Sequence, residues 1–308
     1  MHTKTLRTFI ALALLICITS IDTAPAQKKK KKAHPSGTPV LWQAPSDISQ
    51  RDLFLGPGGA AMRPDLRRIT FIKEEKGGYS KKYRVRDGSG REWVVKIGKE
   101  AQSETSAIRL LWGVGYITEV NYLVPRVTIP GKGTFTNVRF EARPDRWDRV
   151  GEWKWKRNPF LGTSEYQGLK IMMALINNWD LKDSNNEIVQ IRTNRGNELR
   201  YIISDLGGSL GKTGGFFART RNKPSDFVKS DFIESVQGNV IDFNYGGKSK
   251  SLFENITVKD AKWIGGLLAR LSDEQIKDAF RAANYSPEEV DALAGEFRER
   301  INALAKLS

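Results

Sequence analysis

The sequence predicts an α+β chain of two lobes, a small β-rich one followed by a mainly helical one, on three observations. Residues 69–142 hold five strand candidates and a single helical pattern. Residues beyond 164 turn helical, with one short hairpin-like insertion at 188–203. Acidic motifs flank that insertion: Asn178-Trp179-Asp180-Leu181-Lys182-Asp183-Ser184-Asn185 before it, and Ser204-Asp205-Leu206-Gly207 after it. At 308 residues the chain is long enough for one large core or two joined lobes.

Residues 1–26 read as a secretory signal. Lys4 and Arg7 form its basic start, residues 9–20 its apolar core, and Ala24-Pro25-Ala26 an A-x-A cleavage site. The apolar core is shorter than the ~20 residues a bilayer requires. Cys17, the only cysteine, follows Ile16, a poor fit to a lipid-attachment signal. The expectation is therefore an exported chain (periplasmic, cell-surface or secreted) without disulfides, held together by its core alone. An uncleaved anchor is the alternative, because the lysine run from Lys28 to Lys32 resists translocation. Losing Lys4, Arg7 and Asp22 with the signal takes the net charge from +15 to +14. That charge is either a solvated surface or the footprint of an anionic partner, and the lysine run offers weak adhesion to an anionic surface polymer or lipid headgroups. Residues 27–64 read as a basic, Pro-rich linker in which Trp42, Leu53 and Phe54 are candidates to dock on the body.

The first lobe is expected over 65–142. Strands are read at 69–74, 83–86 and 93–97, with Gly77-Gly78 turning between the first two and Asp87-Gly88 as the next hairpin signal. A helix follows at 101–112, then strands at 120–129 and 134–142 joined by Pro130-Gly131. In the second lobe, 143–308, an apolar helix is read at 164–179 and short strands at 188–192 and 198–203. Ser272-x-x-Gln275 and Ser286-Pro287-Glu288-Glu289 are capping boxes, the second with proline at the first helical position. Val290, Leu293, Phe297, Ile301 and Leu304 form one apolar stripe on the last helix.

Several polar residues stand out against these elements. Lys96 falls on the same strand face as Val94, and a lysine on an apolar face wants an anion. Glu104 lines up with Ala101, Ile108 and Leu111 on its helix, and an inward carboxylate is costly unless paired. The plain alternatives are a solvent-facing lysine and a carboxylate reaching water at the edge of a stripe. Asp180, Lys182 and Asn185 carry the pattern D-x-K-x-x-N, which alone suits any Asn/Asp-rich helix end. The ordered set Val94-Val95-Lys96, Glu104, Asp180-Leu181-Lys182-x-x-Asn185 and Asp205-Leu206-Gly207 resembles the protein kinase-like superfamily over about residues 69–207, and most of all its atypical exported members, the secretory-pathway and spore-coat kinases.

That resemblance implies a bilobal protein kinase-like fold that binds ATP with Mg²⁺ or Mn²⁺ between its lobes. Lys96 would bind the α/β-phosphates, with Glu104 positioning it and Gly77 and Gly78 in the place of the phosphate-covering turn. Asp180 would orient the hydroxyl of a protein, glycan or small-molecule acceptor, with Lys182 near the transferred phosphate. Asn185 and Asp205 would hold the metal, and the adenine would sit near 141–144. The sequence departs from the pattern in lacking G-x-G-x-x-G before Lys96, in placing Asn178-Trp179 before Asp180, and in lacking Ala-Pro-Glu after Asp205. Such losses also occur in silent, pseudokinase-type binding modules, which stay open as an alternative beside a basic anion-binding protein.

Two other motifs are weaker. Gly211-Lys212-Thr213 has Leu206 where a P-loop needs glycine. Trp153-Lys154-Trp155-Lys156-Arg157 interleaves aromatics and bases as single-strand nucleic-acid binders do, but the commoner outcome is packed tryptophans and solvated lysines, so nucleic acid is disfavoured as a partner. His2 and His34 are the only histidines, which excludes a His-based triad or zinc site.

Overall fold

Runs of β-branched and aromatic residues with period-two alternation build the first lobe. The computed structural model describes residues 35–77, 80–215 and 218–307. The signal, the Lys28-to-Lys32 run and Gly78 lie outside the described residues. After a short strand β1 (Thr38–Val40), strands β2 (Thr70–Glu75), β3 (Lys81–Arg86) and β4 (Glu92–Ile97) lead into helix α1 (Glu100–Gly113). Strands β5 (Asn121–Ile129) and β6 (Gly133–Ala142) follow. All but β1 form one antiparallel sheet in the order β2-β3-β4-β6-β5. The Asp87-Gly88 turn is locked by the Asp87 carboxylate, which accepts from the Ser89 and Arg91 amides and the Trp93 indole.

Alternation gives this sheet two different faces. Tyr83, Val85, Trp93, Val95 and Phe140 fill an apolar core, each buried side chain of this size contributing about 1.5–3 kcal/mol. The opposite face carries Val94 and Lys96 on β4, in register with Glu141 and Arg139 on β6, and α1 packs there.

The second lobe holds β7 (Asp148–Gly151), α2 (Ser164–Leu175), β8 (Asn186–Thr193) and β9 (Gly196–Ile203). Helix α3 (Pro224–Val228), the hairpin β10 (Ile233–Gln237) and β11 (Val240–Phe243), and helices α4 (Val258–Leu268), α5 (Asp273–Arg281) and α6 (Pro287–Ala305) complete it. Its larger sheet runs β1-β9-β8-β7, with β1 parallel to β9. Both expected capping boxes form, at Ser272 and Ser286, and the α6 stripe is buried. The whole is a bilobal α+β fold with a β-rich first lobe and a mainly helical second one.

Some elements differ from the expectation. Within the stretch read as a linker, residues 38–40 add a strand and Leu41 and Ile48 are buried in the main core, where Leu53 docks as expected. Trp42 packs edge-on against Trp263 and donates to the Val114 carbonyl at 2.7 Å, whereas Phe54 is exposed. Helix α2 ends at Leu175, four residues short of the expected end, because Asn177 takes a left-handed φ of 52°. Trp153 and Trp155 are buried against each other while Lys154 and Lys156 face solvent, so the aromatic–basic stretch is a packing element.

Candidate active site

The end of β4 delivers Lys96, and Gly98, at φ 122°, turns the chain directly into α1. The Lys96 side chain is 2 % exposed. Its ammonium lies 2.8 Å from Glu104, 3.1 Å from Glu100 and 3.1 Å from Asp205. Burial works against this charge, but Glu104 and Asp205 outweigh it and raise the lysine above its ordinary pKa. Burial likewise pushes the Glu104 carboxyl up, partly offset by Arg139 and Lys96. Arg139 lies 3.2 Å from the second oxygen of Glu104, though without the alignment of a hydrogen bond, so that attraction is chiefly charge on charge. Asp205 is driven the other way: burial would raise it, and Lys96 holds it below the usual carboxylate range.

Glycine lets the segment after Asp205 fit. A Cβ on Gly207 would stand 2.6 Å from the Glu100 Cβ, and one on Gly208 would stand 3.1 Å from the Asp180 Cβ. Ser103 donates to the Gly207 carbonyl at 3.1 Å, tying α1 to this segment. The two acidic motifs therefore meet through glycine backbone. Leu206, standing between Asp205 and Gly207, is fully buried.

Asp180 is positioned by the early end of α2. The buried guanidinium of Arg300, on α6, donates to the Leu175 carbonyl and to the Asn177 side chain at 3.0 Å each, capping the helix where its dipole is negative. Asp180 then sits between two lysines, 2.7 Å from Lys182 and 2.6 Å from Lys248. Burial opposes its ionisation, but hydrogen bonds from these lysines prevail and lower its pKa. The Asn185 amide donates to the Asp180 carbonyl at 2.7 Å, and its own carbonyl accepts from Ser204 at 2.8 Å. Asn185 and Asp205 thus lie at adjoining ends of the β8–β9 pair.

The expected glycine turn and adenine edge look different. Gly77 adopts φ 103° with nothing within 4 Å of where a Cβ would be, an open turn. Glu141, at the expected adenine edge, is engaged by Arg139 at 2.9 Å, Arg149 at 3.0 Å and Arg143. Glu119 joins the network through Arg139 at 3.3 Å and Arg149 at 3.5 Å. Burial and the neighbouring Glu141 push the Glu119 carboxyl well above its ordinary 4.5. A raised carboxyl stabilises the fold while protonated, so this contribution is whole below pH 4.5 and is lost as pH climbs through the folded-state pKa. Glu119→Gln should remove that fall in stability, as read from thermal midpoints across a pH series.

Sequence reasoning missed Lys248, Arg139, Glu100 and Glu119. Arg139 and Glu141 gave no signal of the kind Lys96 gave, since they alternate with the apolar Val138 and Phe140 in the ordinary pattern of a half-exposed strand. Lys248 had none either, because the 245–249 loop reaches Asp180 only through the fold: Tyr245 donates to the Asn178 carbonyl at 2.8 Å, and the Lys248 amide to the Trp179 carbonyl at 2.8 Å.

Among the described residues no cluster of three or more His, Cys, Asp or Glu side chains gathers as a self-contained metal site. Asn185 and Asp205 offer one amide and one carboxylate oxygen. That donor set fits Mg²⁺, which takes one or two carboxylates and completes its shell with water and substrate phosphates.

This architecture is a protein kinase-like fold. The structure is similar to the proinflammatory kinase CtkA of Helicobacter pylori, with a TM-score of 0.51 at 12% identity, covering 80% of this chain and 99% of that one. It also aligns with the Rio2 kinase–ADP/Mg²⁺-phosphoaspartate complex of Chaetomium thermophilum, with a TM-score of 0.34 at 12% identity over 76% of this chain and 72% of that one. A further alignment is with hydra Fam20 with sugar, at a TM-score of 0.32 and 11% identity over 79% and 89%. At these identities the likeness is one of fold, and only the first exceeds a TM-score of one half. No family model matches the chain, and no curated protein matches it.

Proposed function

We propose that the chain is an exported, kinase-like phosphotransferase that moves the γ-phosphate of ATP to a hydroxyl on a protein, glycan or small molecule. The observation that supports it most is Lys96 held simultaneously by Glu104 and Asp205. That arrangement keeps a cation beside a carboxylate, and Lys96 exchanges one of its three carboxylate contacts for an oxygen of the phosphate chain.

In this reading Lys96 meets the α/β-phosphates, Glu104 and Arg139 hold its position, and Asn185 and Asp205 hold Mg²⁺ or Mn²⁺. The metal, when bound with ATP, neutralises charge on the phosphates. Asp180 exchanges a lysine for the acceptor hydroxyl and accepts its hydrogen bond. Its lowered pKa makes it an orienting group rather than a store for the proton. Lys182 and Lys248 then flank the incoming oxygen. The P–O bond to ADP breaks as the bond to the acceptor oxygen forms, and the hydroxyl proton leaves by way of Asp180 to solvent.

A second reading, a silent pseudokinase-type binding module or a basic anion binder, is favoured by two specific features. Both oxygens of Asp180 are already engaged by lysines, and the expected adenine edge is spanned by arginine–glutamate pairs. Incubation of the purified chain with γ-labelled ATP and Mg²⁺, alone and with an acceptor screen, separates the readings. Metal-dependent label in protein or acceptor supports transfer, and ATP binding without label supports the silent module.

A further inference from the structure

A cavity of ≈ 390 Å³ lies apart from the Lys96–Asp205 site and shares none of its residues. Its walls come from the N-terminal segment (Arg51), the end of α1 (Trp112), the connection after β6 (Arg146, Trp147) and the β8–β9 pair (Arg192, Arg200). Four arginines line it and, among the described residues, no aspartate, glutamate or lysine does. Two of the four are engaged: Arg51 stacks on Trp112 at 4.6 Å, and Arg200 pairs with Glu198 at 3.1 Å. Arg146 and Arg192 make no side-chain hydrogen bond or ion pair among the described residues. Arg192 is exposed at the rim of the cavity, because alternation on β8 sets it on the sheet face opposite Ile191, Thr193 and Arg200.

Uncompensated guanidinium groups around one concavity focus a positive potential there, and their planar forks match a carboxylate or phosphate bidentately. The tryptophan walls suit a flat apolar body, and the volume falls in the range of small-molecule sites, roughly 300–1,000 Å³. We infer that this cavity binds a small anion built on an aromatic ring, its phosphate or carboxylate held by Arg146 and Arg192 and its ring against Trp112 and Trp147. The cavity includes neither Lys96 nor Asp205, and it meets the expected adenine edge only at Pro144.

The test is a titration of the purified chain with 1-naphthyl phosphate, following tryptophan fluorescence and the thermal midpoint, with 1-naphthoate and inorganic phosphate in parallel. Saturable binding of 1-naphthyl phosphate or 1-naphthoate is expected, and the tighter of the two assigns the anionic group. Inorganic phosphate alone should bind at least about tenfold more weakly, a difference of about 1.4 kcal/mol. Arg146→Gln with Arg192→Gln should weaken the naphthyl ligand by a similar factor, while Asp205→Ala leaves it unchanged. Both arginines are exposed and unpaired, so the double variant should fold, and Arg192→Glu alone serves as a second variant. Absence of saturable binding, retention of full affinity in both arginine variants, or loss of binding in Asp205→Ala would each overturn the assignment.

Discussion

Asp180→Ala lowers label transfer from ATP by about 10²-fold or more, the scale of a positioned acid–base group, while ATP affinity stays within about twofold. The split follows from where Asp180 stands. It touches Lys182 and Lys248 and, in the proposed reaction, the acceptor hydroxyl, whereas Lys96 and Asp205 meet the nucleotide and metal. Folding should survive the change, because the side chains of Lys182 and Lys248 are 43 % and 40 % exposed and water replaces their partner. Equal labelling of wild type and variant would remove Asp180 from the mechanism.

Glu104→Ala has the largest expected effect on stability. It leaves Lys96 and Arg139, both nearly inaccessible to water, facing each other without the carboxylate between them. Breaking a buried pair in this way costs about 3–5 kcal/mol. At roughly 2–4 °C per kcal/mol for a large domain, the thermal midpoint should fall by on the order of 10 °C. Nucleotide affinity should fall with it, since Lys96 loses the group that aims it. A loss below about 1 kcal/mol would mean that Glu100 and Asp205 hold Lys96 without help.

Local chemistry explains which parts of the fold were legible in the sequence. Each cap, Ser272 with Gln275 and Ser286 with Glu289, is written within four residues, and the α6 stripe within fifteen, so both emerged unaided. The overrun of α2 had a mixed cause. The left-handed turn falls on Asn177, a residue type that favours it, but the group that secures this helix end is Arg300, 123 residues away. Strand β1 is three residues long and pairs with β9 across the chain, too short for alternation to register. Within 35–64 Leu53 was legible as a docking residue, but the surrounding Pro, Gly and Ser hid that Leu41 and Ile48 also enter the core.

The candidate site divides along the same line. Lys96 and Glu104 were legible because each is a charge on an otherwise apolar face, a local conflict that only a partner relieves. Arg139 and Glu141 on β6 carried no such conflict, because their polar alternation with Val138 and Phe140 reads as a solvent-facing side until α1 covers it. Nor did Lys248, since a lysine in a polar loop is ordinary until the fold sets it 2.6 Å from Asp180.

The central claim is that Lys96 and Asp205 form one nucleotide–metal site, and a thermal-shift titration tests it most directly. Wild type and Asp205→Ala are melted with ATP alone, with ATP and Mg²⁺, and with ATP and Mn²⁺. At 100 times its dissociation constant a ligand of the folded state adds about 2.7 kcal/mol. A metal-dependent rise in the wild-type midpoint, absent from Asp205→Ala, is the predicted result. A wild-type midpoint that ignores the metal, or a rise that Asp205→Ala retains in full, would contradict it.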